Sequence, residues 1–434
     1  MHVTTVDRYT PEPGTFLHWT VPADDGAAVE SPIPPSFNQL VHLAGAQSGS
    51  IWLAATFDVT GHVDRTRLAT AYCGLIARHG TLCSSFTATP AGPRRMSRPA
   101  PATLEPQPDI PHRSATSLRE TLRRHSDIRC APFAERAYLL AAIDRPHSST
   151  IVCAFDHAHV DAYSIAIIIE DLRRLYHGVE TETLPAAGNF VDYCAIPVEF
   201  RPDDPRVDGW REFFGDQGVD PPSFPLDLGL EPGRRVPQAV ELRRLLSADA
   251  TEAFEGFCGT HGAGLFAGAL AALAHSVRAA GGGHRLRLLF PLHTRHDPQW
   301  HNAVGWFTTN APVAVEATPD FAATVRGAQA SVRAAIELGT VPLAETIRAL
   351  GGLRPSRADI FMVSYVDYRR LPGADTHRAV NATHISNTGF ADDVQLWFSR
   401  SDDGLALRAR YPSIPTAHSV VRAFLDDVEQ RLRV

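Results

Sequence analysis

A chain of 434 residues with 44% hydrophobic and 21% charged residues has the balance of a folded globular protein, and its length suits two domains better than one core. Its formal net charge is −7, with 41 basic residues scattered among 48 acidic ones, so no electrostatic footprint for nucleic acid is present. Six widely spaced cysteines without a C-x-x-C pair read as reduced, buried thiols; with no leader-like N-terminus and no apolar run near 20 residues, the expectation is a cytoplasmic protein that does not cross a membrane.

The first 35 residues are rich in Pro, Gly and Asp and are expected to form an irregular arm, with regular structure starting near Phe37. Residues 51–59 (IWLAATFDV) read as a strand, and 63–79 as a helix with Leu68, Tyr72, Leu75 and Ile76 on one face. A Pro-rich loop over 89–111 leads to a short basic amphipathic helix at 114–125. Two apolar strands follow, AYLLAAID and STIVCAF, the second ending at DHAHVDAYS. A helix then runs from Ile165 until Gly178 closes it.

Prolines and weak periodicity over 196–237 suggest a crossing between lobes. Beyond it, 249–280 reads as one long Ala-rich helix, RLRLLFPL as a strand feeding the loop HTRHDPQWHNAVGWFTTN, DIFMVSYVDY and DVQLWFSR as further strands, and 416–433 as a closing helix. The expected organisation is an N-terminal lobe over 1–195, a linker over 196–237 and a C-terminal lobe over 238–434 holding Arg295 and GWFTTN. The mixture of strands and helices without strict alternation favours two α/β sandwiches over a doubly wound sheet. The glycines of GAGLFAG are read as close helix packing, since no phosphate loop follows a strand there.

The tract most suggestive of chemistry is His157 with Asp161, an H-x-x-x-D directly after an apolar strand. A neutral imidazole presented there suits abstraction of a proton from a hydroxyl, amine or thiol. Spacing alone does not select it: among 20 histidines a second copy occurs at His293 and Asp297. The interleaved His157, His159 and Asp161 also admit a metal-dependent hydrolase, although Ala162 stands where the metallo-β-lactamase pattern needs another histidine.

More of the chain discriminates. FDHAHVDAYS resembles the H-H-x-x-x-D-G signature of nonribosomal peptide condensation domains, chloramphenicol acetyltransferase-like enzymes and mycobacterial polyketide-associated acyltransferases. SFNQLVHL resembles the first condensation motif, LIARHGTLCSSF the following R-H-x-x-L-R-x-x-F segment, and PLHTRHDPQWHNAVGWFTTNAPV the later P-x-x-x-R and G-x-F-x-N-T-x-P, all in family order. The resemblance implies two chloramphenicol acetyltransferase-like α/β sandwich lobes forming a V around a tunnel. It implies that His157 is the catalytic base, that Asp161 is a structural residue paired with Arg295 of the other lobe, and that Asp156 supports the site where the family has its first histidine. Trp306, Phe307, Asn310 and Ser164 become candidates for lining the substrate channel, with helix capping an alternative for Ser164 and core packing for the aromatics. Ala162, in place of the usual glycine, is expected to narrow the donor channel.

The implied activity is that of a free-standing, monomeric acyltransferase with no metal and no bound cofactor. Its donor is a thioester on coenzyme A or on a phosphopantetheinyl acyl or peptidyl carrier protein, and its acceptor is a hydroxyl or amine of a small molecule or glycolipid. No serine or cysteine stands in a nucleophile motif, so direct transfer is expected. A non-catalytic condensation-like domain that only recruits a partner is the remaining alternative, raised by Asp156.

Overall fold

In a computed structural model, residues 1–23, 26–45, 49–215, 219–231 and 233–433 are described. The chain forms two compact units. The first contains Met1–Pro197, Thr294–Thr308 and Arg370–Gly389; the second contains Val198–His293, Thr309–Arg369 and Phe390–Val434. This partition departs from the expected order along the chain. Thr294–Thr308, with Arg295 and Gly-Trp-Phe, packs in the first unit because its aromatic residues join Phe190 in one apolar cluster. The expected linker over 196–237 contains the helix Pro205–Phe214, which buries Val207, Trp210 and Phe213.

The first unit is built on a mixed sheet whose central strand is Ser148–Asp156. It pairs antiparallel with Trp52–Thr60 on one side and Tyr138–Asp144 on the other. Ile151, Cys153 and Phe155 face a core shared with the helices Arg65–Arg78 and Ala162–Tyr176, while Val152 and Ala154 pack against Leu118 and Leu122 of the helix Ala115–Arg129. Burial on both faces explains why STIVCAF is a continuous apolar run with no alternation. The expected irregular arm instead supplies two strands of this sheet. Thr15–Thr20 pairs with Tyr138–Asp144, and His2–Thr5 lies parallel to Thr383–Ser386. Both are short and bounded by turns or prolines, so local pattern hides them and sheet pairing reveals them.

In the second unit a mixed sheet runs in the order Thr308–Glu316, Arg285–His293, Met362–Asp367, Gln395–Ser401, Gly404–Pro412, Val236–Ser247 and Phe390–Ala391. One face carries the core of Phe254, Leu270, Leu288, Val363, Phe398 and Leu407. The expected single helix over 249–280 is two helices, Ala248–Thr260 and Leu265–Ala279, bent by 91°. The bend falls where Gly262 adopts a φ of 69°, a conformation that favours glycine. Gly268 serves close packing: a Cβ there would stand 2.9 Å from the Phe254 ring. Among the described residues no single helix is long and apolar enough to cross a membrane. Gly268→Ala is expected to destabilise the protein by about 1–3 kcal/mol through overpacking, measured as a lower urea midpoint with an unchanged slope.

Candidate active site

The strand Ser148–Asp156 delivers a four-residue loop to the N-terminus of the helix Ala162–Tyr176. The His157 N–H donates to the Ile51 carbonyl (2.9 Å) and the His159 N–H to the Asp156 carbonyl (3.0 Å), so the chain turns as soon as sheet pairing ends. Asp161 is the N-cap, its carboxylate accepting from the Ser164 N–H at 2.7 Å. The helix therefore begins at Ala162, not Ile165, and the cap is Asp161, not Ser164. With ordinary helical backbone at its first position, Ala162 needs no glycine-like conformation.

The same carboxylate meets Arg295. The guanidinium donates to Oδ2 at 2.7 Å and to Oδ1 at 3.0 Å, and the Phe307 N–H adds a second donor to Oδ2 at 3.1 Å. Arg295 also reaches the Ala303 and Gly305 carbonyls (3.1 and 3.2 Å) and the Ser164 hydroxyl (2.9 Å), with its plane close to the rings of Tyr163 and Phe307. Each nitrogen of this buried cation donates to at least one oxygen, which is the condition for a buried ion pair to be tolerated. Burial by itself would raise the Asp161 pKa; the Arg295 charge and the hydrogen bonds outweigh it and hold the carboxyl below its usual range. Arg295 lies in the same compact unit as Asp161, so the pair does not join two lobes as the sequence reading expected.

His157 sits at the edge of this lattice. Its Nδ1–H donates to the Val160 carbonyl at 2.8 Å, which selects the tautomer with an unprotonated Nε2. The residue is half-buried and its ring stacks on the Trp306 indole, centroids 4.1 Å apart and planes 23° from parallel. Burial, followed by the nearby His42, pushes its pKa below the ordinary histidine value.

Two residues of the helix Phe37–Ala44 complete the site. Ser36 and Gln39 form a capping box. Gln39 also donates to the Ala158 carbonyl (2.7 Å), and His42, one turn on, meets the carboxylate of the fully buried Asp156 (2.9 and 3.1 Å). Sequence reading singled out neither Gln39 nor His42. Their signal was present in SFNQLVHL, where polar residues three apart fall on one face of a short apolar helix.

The other candidates separate. Trp306 faces His157, whereas Phe307 is fully buried against Phe190, Tyr193 and Arg295. The Ser164 hydroxyl is fully buried among Asp161, Arg295 and Gly305, so its lone pairs and proton are committed inside the lattice and do not point to an oxyanion. Asn310 belongs to the second unit, on the strand Thr308–Glu316. His159 turns inward to the Thr81 hydroxyl (3.3 Å) and stacks on Phe86, so His157, His159 and Asp161 have three different sets of partners. No group of three or more His, Cys, Asp or Glu able to hold a metal ion occurs among the described residues. Asp297 caps the short turn Pro298–Trp300.

Comparison with known proteins shows the family. A family model described as the condensation domain matches residues 33–367. The chain belongs to the condensation-domain family. Two curated relatives, each described as trehalose-2-sulfate acyltransferase PapA2, from Mycobacterium tuberculosis and Mycobacterium bovis, are 26% identical over 98% of this chain and 95% of their own length. Among solved structures, one described as PapA2 acyl transferase matches with a TM-score of 0.86 at 24% identity, covering 100% of this chain and 99% of the other. The X-domain from teicoplanin biosynthesis matches with a TM-score of 0.71 at 17% identity, covering 95% and 97%. The structural likenesses show the two-lobed fold of chloramphenicol acetyltransferase type. Family membership and the full-length relatives make this condensation-domain protein an acyl-transferring enzyme.

Asp161→Asn leaves Arg295 buried without its counter-charge and is expected to cost about 3–5 kcal/mol of stability in urea unfolding. Because the folded pKa of Asp161 is depressed, its contribution is complete above the unfolded value of about 3.9 and is lost as pH falls through the lower folded value; the variant should therefore lose less stability than the wild type on acidification.

Proposed function

We propose that this condensation-domain enzyme transfers an acyl group directly from a thioester to an acceptor hydroxyl, with His157 Nε2 as general base. The observation that carries the reading is the Nδ1–H bond to the Val160 carbonyl in a residue that keeps part of its surface accessible. It leaves the other nitrogen with a lone pair and, among the described residues, no protein partner.

In this mechanism Nε2 takes the acceptor proton as the acceptor oxygen attacks the thioester carbonyl. The tetrahedral adduct then collapses, the C–S bond breaks, and the departing sulfur takes the proton back from the imidazolium. Transfer is direct and forms no acyl-enzyme. Trp306 holds the ring in place throughout, and the Asp161–Arg295 lattice holds the loop; neither group exchanges a proton. The donor is coenzyme A or the phosphopantetheine arm of a carrier protein. The likeness to trehalose-2-sulfate acyltransferases over nearly the whole chain supports a carbohydrate hydroxyl as acceptor, giving an ester. A metal-dependent hydrolase is disfavoured because His159 and Asp161 are bound elsewhere.

His157→Ala is expected to lower thioester turnover in the presence of a sugar acceptor by at least about a hundredfold while leaving the urea midpoint nearly unchanged. Equal rates in wild type and variant would favour a recruitment domain. A lowered pKa keeps Nε2 unprotonated to lower pH, so the acid limb of the wild-type kcat/KM profile should lie below about 6.5. A limb above that value would contradict the assignment.

A further inference from the structure

His42 and Asp156 lie beside the base and take no part in the proton transfers described above. The His42 Nε2–H is 2.9 and 3.1 Å from the two carboxylate oxygens of Asp156, and the two side chains are 3% and 0% exposed. The same imidazole meets the Trp306 indole edge-on, centroids 5.9 Å apart at 81°, and that indole stacks on His157. From the other side Asp156 accepts the Ala158 N–H at 2.9 Å, one residue beyond His157. His157 is thus gripped twice, through its own backbone by Asp156 and through Trp306 by His42.

We propose that the His42–Asp156 pair is a positioning device for the acyl-transfer base, holding the His157 ring against Trp306 and setting the charge next to it. The proposal rests on His157 being the base. Geometry makes the coupling unavoidable: the carboxylate belongs to the residue before His157, and the His42 and His157 ring centroids are 6.4 Å apart. In so enclosed a site a charge acts with little screening. The carboxylate favours protonated His157 and the His42 imidazole opposes it, so the two offset each other and removal of either unmasks its partner. Among the described residues, the titratable and charged groups around them are the His159 ring with Arg95 beyond it, the Cys130 thiol near Asp156, and the Asp161–Arg295 pair, which is neutral as a unit. The substitutions below leave all of these in place.

The full-length chain labelled with 15N-histidine reports the titration and tautomer of His157 directly, its resonance being the one missing from His157→Gln. Asp156→Asn keeps an acceptor for Ala158 and removes the charge; it should lower the His157 pKa. His42→Gln keeps a donor for Asp156 and should raise it. Each shift should be roughly half to one pH unit, and the double variant, an amide facing an amide, should return toward the wild-type value. The acid limb of kcat/KM with an acyl-coenzyme A donor should move in the same directions with KM little changed, which a purely structural role would not produce. An unchanged His157 pKa in Asp156→Asn, or shifts of the same sign in both single variants, would overturn the proposal. Asp156→Asn, nearly isosteric with the wild type, decides alone if His42→Gln does not fold. A His157 that shifts as expected in a protein without thioester turnover would instead count against the proposed function and leave the pairing intact.

Discussion

The arrangement depends on one buried ion pair. Asp161 caps a helix, binds a guanidinium through both oxygens and accepts a backbone N–H from Phe307, all at once. A carboxylate stripped of water is stable only when its lone pairs are met in this way, and a guanidinium only when its planar fork is filled. Satisfying both ties the loop 157–160 to the segment Thr294–Thr308, and that segment brings Trp306 to the face of His157. The proposed base is therefore placed by a residue whose carboxylate is committed to protein donors.

Close packing reinforces the electrostatics. Gly305 stands against the Phe190 ring, leaving no room for a side chain, and the Gly305 carbonyl and N–H both bond Ser164. Phe190, Trp300, Ala303 and Phe307 form a compact apolar cluster behind the polar lattice. A buried polar network surrounded by dense packing has few alternative arrangements, which is what orientation of a single imidazole requires. His157 keeps partial exposure at the edge of an otherwise buried assembly, while burial, followed by the nearby His42, lowers its pKa and favours the neutral, proton-accepting form.

Much of this was legible in the sequence where it is local. The central strand announced itself as an apolar run because it is covered on both faces, and the helix after Asp161 by its apolar spacing. What is non-local was not. Asp161 and Arg295 are 134 residues apart, and only the resemblance to a family paired them; spacing offered His293 and Asp297 as an equal choice. Asp156 looked like a lost histidine, and its meaning came from His42, 114 residues earlier. The bend at Gly262 was masked by Ala-rich helical propensity on both sides, and the N-terminal strands were masked by their shortness and by the turns and prolines that flank them. The resemblance and chain order together assigned Arg295 to a second lobe, whereas packing groups it with Asp161.

The most direct measurement is the position of a bound acceptor in a crystal of the full chain with a non-transferable thioether donor. Direct acyl transfer predicts the acceptor oxygen within about 2.6–3.2 Å of His157 Nε2, with the donor carbonyl carbon next to that oxygen. An acceptor oxygen bound away from the imidazole, or Nε2 turned to a protein group with Nδ1 facing the substrate, would contradict it.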